Sequence, residues 1–381
     1  MARSMILLVS DQPMANLQAA LHPELGVGEV HLVVSGDMQA NGRGDWLAEV
    51  LEARGLACRW HSVAEPWDPA PTRSLVSRLV ADDPERWIVN LTGGTKPMSI
   101  GADRAAIEAG VRDLLYLEAD SGRLRWLWGN RPPLTDIVRI KVSETLRAHG
   151  YRADIGRPAP DDWAALAEAM DQALVGKTQQ AWNRLFFEAG KRLKAQQGWN
   201  TEPVAVAPQV AGIPAIAELL ERAQSLKLCA WSGTSLTILT AEAHQFLAGG
   251  WLELLAYRAL AARREALGLQ DLALNLRARE AGGASNEVDV AAMRGRRLLL
   301  LECKTGRVDG GEEGQKASDI VYKLEHLGRL GGSRTALFLV SRELPDGKIV
   351  KRFEAAGVAL VKAEGKGWAD SLAEAISRLP A

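Results

Sequence analysis

Two groups of residues in this 381-residue chain have types and spacing that suit chemistry. The first holds Asp289 in NEVDVAAM, and Glu302 and Lys304 in RLLLLECKT. Residues two apart on a strand share a face, so Glu302 and Lys304 stand together while Cys303 turns away. If MRGRR is a tight hairpin turning at Gly295-Arg296, Asp289 lies opposite Glu302 and Glu287 opposite Lys304. Two facing carboxylates, their Cβ atoms about 5 Å apart, repel unless positive charge sits between them. Hard oxygen ligands suit Mg2+ or Mn2+, which would polarise a phosphodiester and lower the pKa of a bound water. Lys304 is placed to steady charge that develops in the transition state. Glu253, in GGWLELL, sits early in the preceding helix; it either joins the metal or simply favours a helix N-terminus. Asp289 alone would read as a surface strand acid, and only its combination with Glu302 and Lys304, behind four leucines, points to catalysis.

The second group is LTGGTKPMSIG, residues 91–101. Its Gly93-Gly94-Thr95-Lys96 turn lies between a strand-like RWIVN and a helical MSIGADRAAIEAG, a placement that aims backbone N–H groups at an anion. Pro97 follows Lys96, and the spacing from glycine to lysine is short, so this is no Walker A loop.

The elements that must hold these groups follow from periodicity. Residues 5–145 alternate MILLV, EVHLVVS, CRWHSV, RWIVNLT and LLYLE with amphipathic stretches, which predicts a mostly parallel Rossmann-like sheet. Its carboxyl rim would carry Ser10-Asp11-Gln12, Ser35-Gly36-Asp37 and the glycine turn. GRPAPDD, residues 156–162, breaks the pattern. We read 1–145 as a Rossmann-like α/β domain, 146–235 as a mostly helical linker without legible chemistry, and 236–381 as a second α/β domain. In that last part a helix, three strands, a helix and a strand follow one another.

Lys plus Arg (46) nearly cancel Asp plus Glu (47), so any basic groove must be local. The short charge runs KRLK and RGRR read as solvated surface. Three separated cysteines argue against a disulfide framework or zinc site, and a reducing cytoplasm fits them. No apolar run approaches a membrane span, so a soluble protein without membrane contact is expected. No His lies near either group, which gives His-based nucleophilic schemes little support.

Asp289, the Glu302-X-Lys304 pair and Glu253, on that order of elements, resemble the PD-(D/E)XK restriction-endonuclease superfamily, although Val288 stands where the motif has proline. NLTGGTKPM on a Rossmann-like domain is similar to CRISPR-associated Rossmann fold (CARF) domains, which sense cyclic oligoadenylates. Together the halves resemble the CARF nuclease effectors of type III CRISPR systems. The resemblance implies a homodimer whose paired sensors bind a cyclic tetra-adenylate, and a Mn2+- or Mg2+-dependent endonuclease acting on DNA, RNA or both in antiviral defence. It implies ligand binding by Gly93, Gly94, Thr95 and Lys96, with Ser10, Gln12, Met14 and Met98; metal binding by Asp289, Glu302 and Glu253; and catalytic support from Lys304. Lys316, Asp319 and Tyr322 are implied substrate contacts. Three other readings stay open: a ligand-sensing regulator with a DNA-binding module, which would need a helix-turn-helix where strands carry acids; a ring nuclease using Lys96; and a PD-(D/E)XK fold kept for structure alone.

Overall fold

The chain is described here from a computed structural model covering residues 2–379, except 137, 157–158, 195–201, 281–282, 284, 307, 309–316, 346 and 366. Six strands form the first sheet: β1 (Arg3–Leu8), β2 (Val27–Ser35), β3 (Ala57–Val63), β4 (Trp87–Asn90), β5 (Asp113–Leu117) and β6 (Leu124–Trp126). Their order is β3-β2-β1-β4-β5-β6, parallel except for β6. Helices cover both faces, so β1 reads as an unbroken apolar run rather than an alternation. The strand order reverses between β1 and β4, which opens a crevice at their carboxyl ends. Ser10 to Gln12 leave β1 on that rim, and the glycine turn leaves β4 beside it.

Two fully buried asparagines fasten the rim. Asn16 Nδ2 donates to Leu8 O at 2.9 Å, and Asn90 Nδ2 donates to Asn16 Oδ1 at 3.0 Å. Asn90 Oδ1 in turn accepts from the Thr92 hydroxyl at 2.7 Å, which shapes the start of the turn. Gly93 passes so close to β1 that a Cβ would lie 2.0 Å from Leu8 O.

The second half builds another six-stranded sheet. β7 (Tyr151–Ile155) comes early; β8 (Val204–Ala205), β9 (Cys229–Trp231) and β10 (Ser235–Ile238) form a small separate sheet. β11 (Leu269–Glu280), β12 (Ser285–Arg294), β13 (Arg297–Lys304), β14 (Ala336–Ser341) and β15 (Val358–Lys362) follow, in the order β15-β14-β13-β12-β11-β7. Residues expected as a linker therefore give this sheet its edge strand. They also give it core: Leu166, Met170, Trp182, Phe186 and Leu219 share one cluster with Trp251, Leu299, Phe338 and Trp368.

β11 contains a local departure. Asn275 sits at φ 51°, a left-handed conformation that costs a non-glycine residue on the order of 1 kcal/mol.

The halves share a further core in which Leu146 and Val142 of the helix Val142–Ala148 meet Leu298, Leu300 and Leu330. Polar contacts surround it. Arg296, expected to be solvated, is instead buried and donates to Ala119 O at 2.9 Å, where the Arg334 guanidinium also arrives. Burial and the Arg334 charge pull Arg296 down to about 10.

If the Gly93 approach fixes the rim, Gly93→Ala should lower unfolding free energy by about 1–3 kcal/mol in denaturant titration. Gly36→Ala, whose Cβ would meet nothing within 4 Å, is the matched control. Equal stability of the two variants would refute the tight packing.

Candidate active site and sensor rim

The hairpin between β12 and β13 turns at Gly295-Arg296 and pairs Arg294 with Arg297 through Val290 with Leu301, the expected register. Past that ladder the Asp289 side chain takes over from backbone pairing: the Cys303 N–H donates to Asp289 Oδ2 at 2.6 Å. Glu302, the residue before Cys303 on β13, is fully buried. Its Oε1 lies 2.6 Å from Lys304 Nζ, and its Oε2 accepts from Lys323 Nζ at 2.6 Å. Lys304 makes an ion pair without hydrogen-bond alignment, so Oε1 keeps an acceptor without a directed donor.

Glu253 approaches from the helix Trp251–Ala262. A kinked stretch, Phe246–Gly250, precedes it, with Gly249 outside helical geometry. Leu247 O within that stretch accepts from Trp182 Nε1 at 2.8 Å, and Ala248 O accepts from the Thr305 hydroxyl at 3.3 Å. The kink at a glycine sets the direction in which the following helix enters.

The electrostatics mark this cluster. Burial, then the Asp289 charge, pushes Glu253 up to about 8. Burial and the Glu302 charge push Asp289 up to about 7 against the opposing lysines and the Cys303 N–H. Burial lowers Lys304, but the Glu302 and Asp289 carboxylates outweigh it and hold the ammonium above the usual lysine range. Burial likewise drives the Cys303 thiol well up, which removes it as a nucleophile.

Lys323 was not singled out in the sequence, whereas its neighbours Asp319 and Tyr322 were. Both are exposed, and the Arg352 guanidinium lies 5.9 Å over the Tyr322 ring. Lys316 lies outside the described residues. The signal for Lys323 was its spacing: three residues after buried Ile320 and four before buried Leu327, it is a cation on an inward row.

Among the described residues no group of three His, Cys, Asp or Glu side chains is arranged to hold a metal ion. The donors nonetheless fit a hard divalent cation: all are carboxylates, burial and neighbouring carboxylates raise two of them, and Glu302 Oε1 lacks a directed donor.

At the other site, the helix Lys96–Glu108 starts on the glycine turn with Thr95 as N-cap, its Oγ1 accepting from the Met98 N–H at 3.3 Å. The Thr95 hydroxyl is also given to Pro66 O, so it shapes the turn. No hydrogen bond among the described residues uses the N–H groups of Gly93, Gly94, Thr95 or Lys96. Lys96 is exposed, as is Gln12 across the crevice, and Ser10 is half-buried. Met14 and Met98 are buried in the cores on either side of the sheet, where they pack the walls.

Two family models match stretches of the chain. Residues 4–126 match the family described as Card1 CARF domain, and residues 240–373 match the Card1-like endonuclease domain. The chain resembles the crystal structure of protein VC1899 from Vibrio cholerae, with 21% identity, a TM-score of 0.81 and 98% of both chains covered. It resembles Can2 from Sulfobacillus thermosulfidooxidans, solved in complex with cyclic tetra-adenylate, at 20% identity and a TM-score of 0.75, over 98% of this chain and 97% of that one. A type III CRISPR defence DNA nuclease activated by cyclic oligoadenylate aligns at 19% identity and a TM-score of 0.60; this chain is wholly covered but spans only 52% of that protein. At these identities the likeness concerns the fold. No curated protein matches the chain. No described helix is long and apolar enough to cross a membrane.

Raised acids make stability depend on pH. Between about pH 4 and the raised values near 7 and 8, the folded chain keeps protons that the unfolded chain releases, so stability falls as pH rises. We expect the metal-free melting temperature to fall over that interval, the Asp289→Asn variant to show a flatter profile, and Mn2+ to raise the midpoint more at pH 8 than at pH 5. An Asp289→Asn profile as steep as the parent's would contradict the assignment.

Proposed function

We propose that this chain, in which a Card1 CARF domain is joined to a Card1-like endonuclease domain, is a metal-dependent endonuclease that cleaves DNA, RNA or both when cyclic tetra-adenylate binds its sensor rim. The setting is the cytoplasm, in type III CRISPR antiviral defence. The observation that carries the reading is the buried Glu302 held between Lys304 and Lys323, beside Asp289 and Glu253. Neither a sensing regulator nor a fold kept for structure requires a buried cluster of carboxylates and lysines on central strands of the sheet.

Asp289 and Glu302, with Glu253 alongside, would hold Mn2+ or Mg2+, which supplies Lewis acidity toward a phosphodiester and an activated water. Lys304 places its ammonium where negative charge grows on the transferring phosphorus. Lys323 orients Glu302 through the hydrogen bond to its Oε2.

On the sensor, four consecutive N–H groups without partners, a helix N-terminus and the Lys96 ammonium suit the phosphates of a cyclic oligoadenylate. Ser10 and Gln12 face them from the opposite side of the crevice. Ile100, 63% exposed, and Ile107, 43% exposed, lie on the same helix, and Trp128 Nε1 donates to Asp103 between them. That uncovered apolar face supports pairing of two sensors, and a closed, symmetric ligand would contact the same rim on both copies.

The sites are 200 residues apart in sequence yet connected by one short segment. Ser333 Oγ donates to Gln12 Oε1 at 3.3 Å, and Gly332 runs against His149, where a Cβ would lie 2.9 Å from Nε2. Gly328–Arg334 follows the helix Ala317–Leu327 that carries Lys323, and its helical geometry breaks at Gly331 and Gly332, just before Ser333. A ligand that draws on Gln12 competes with Ser333, and the displaced segment moves the helix that neutralises Glu302.

Labelled DNA and RNA incubated with the protein, Mn2+ and cyclic tri-, tetra- or hexa-adenylate test the proposal. Cleavage should appear only with an activator, and Glu302→Ala should lose at least about a thousandfold in rate, the scale of removing a principal transition-state stabiliser. Persistent cleavage by Glu302→Ala, or no stimulation by any ring, would sink it.

Ser333→Ala leaves both sites intact and should reduce the ratio of activated to basal rate about three- to tenfold, the scale of one net hydrogen bond. An unchanged ratio would remove Gly328–Arg334 from the coupling.

A further inference from the structure

A cavity of about 570 Å³ opens beside the active site, with Glu253 in its wall. Trp163 and Phe246 also line it, their ring centroids 4.8 Å apart and tilted by 45°. Glu242, Gln245 and Asn275 complete its polar surface. Among the described residues, no Lys, Arg or His lines the cavity. Among the described residues the lining offers a phosphate group two carboxylates, which disfavours the substrate backbone as the occupant. An uncharged, flat group that offers N–H donors suits this lining: an aromatic wall for its face, and amide and carboxylate oxygens for its edge.

Asn275 ties the cavity to the reaction. β11 pairs Leu274 with Val290 and Leu276 with Val288, so Asn275 falls opposite Asp289, one strand away from the catalytic acids. It occupies a left-handed conformation in the middle of a strand, and its side-chain amide has no hydrogen-bond partner among the described residues. Strain of this kind persists where an exposed function uses it.

We propose that the cavity receives a nucleobase of the substrate strand adjacent to the scissile phosphate, stacked on Trp163 and hydrogen-bonded through an exocyclic amino group to Asn275 and Gln245. The proposal rests on the nuclease reading and adds base selection to it. Adenine, cytosine and guanine carry the amino group, and thymine and uracil do not, so cutting disfavours a thymine or uracil at one flanking position.

Two readouts test it with the full-length protein. In the first, single-stranded oligonucleotides that differ at one base are cut with Mn2+ and cyclic tetra-adenylate and the products mapped. The parent should show a preference of about tenfold at one flanking position. Asn275→Gly, which accepts the same φ but removes the amide, should lose the preference while its melting temperature holds. In the second, metal-free binding of an oligonucleotide with 2-aminopurine at that position should quench its fluorescence severalfold; Trp163→Ala should abolish the quenching and Trp163→Phe restore part of it. Unchanged cutting in Asn275→Gly together with unchanged quenching in Trp163→Ala overturns the proposal. So does a Mn2+ titration that finds two sites in the parent and one in Glu242→Gln, because the cavity would then hold a cation. If the parent cuts no nucleic acid with any activator, the nuclease reading fails, and the quenching readout still decides whether the cavity takes a base.

Discussion

The burial of Glu302 constrains more of this molecule than any other contact. A carboxylate removed from water is costly unless positive charge reaches both of its oxygens, and here that charge comes from two different elements. Lys304 arrives because it is two residues along β13, and Lys323 arrives because the helix Ala317–Leu327 packs its apolar stripe over the sheet. Asp289 reaches the same place only because the β12–β13 hairpin turns in two residues; a turn one residue longer would put it on the other face. Glu253 is delivered by a helix whose entry is kinked at Gly249 and pinned by Trp182 and Thr305. Moving any of these elements changes how well Glu302 is neutralised, so the cluster senses the packing around it.

That sensitivity gives the sensor something to act on. The rim of the first sheet is stiff, because Asn16 and Asn90 bond its strands and turn from within and Gly93 leaves no slack against Leu8. A ligand therefore cannot be absorbed by local adjustment at the floor of the crevice. The softer elements are at its edge, where Gln12 meets Ser333 across the junction between halves. Closely packed cores transmit discrete displacements rather than dissipating them. Here the displaced segment leads, within one helix, to one of the two lysines on Glu302.

Much of this was legible in the sequence where the physical cause was local. The strands of the first sheet announce themselves as apolar runs, and MRGRR states its turn through Gly295, which takes a positive φ of 58°. Glu302 and Lys304 share a face by strand geometry alone. What was hidden depends on distant partners. YRADI is a short edge strand with little apolar content, and it becomes β7 only because β11 runs beside it. Arg296 looked like solvated charge because its acceptor, Ala119 O, is 177 residues away. Met14 and Met98 sit next to rim residues in sequence, yet each turns inward to a core. Asn275 gives no sign of its φ in composition or periodicity.

The charge balance at the cluster explains why two lysines suffice in the ligand-free chain and why a cation and a substrate belong there. Three carboxylates outnumber two ammonium groups by one. Burial first, and the neighbouring carboxylates second, favour keeping a proton on Glu253 and Asp289, which moves the cluster toward neutrality. A divalent cation held by these acids would displace that proton and reverse the sign of the site. A phosphodiester would then bring the single negative charge that restores balance, whereas a neutral ligand would leave the buried site charged. The cluster is therefore best neutralised with metal and phosphodiester bound together, and a third lysine would remove that preference by neutralising the acids beforehand.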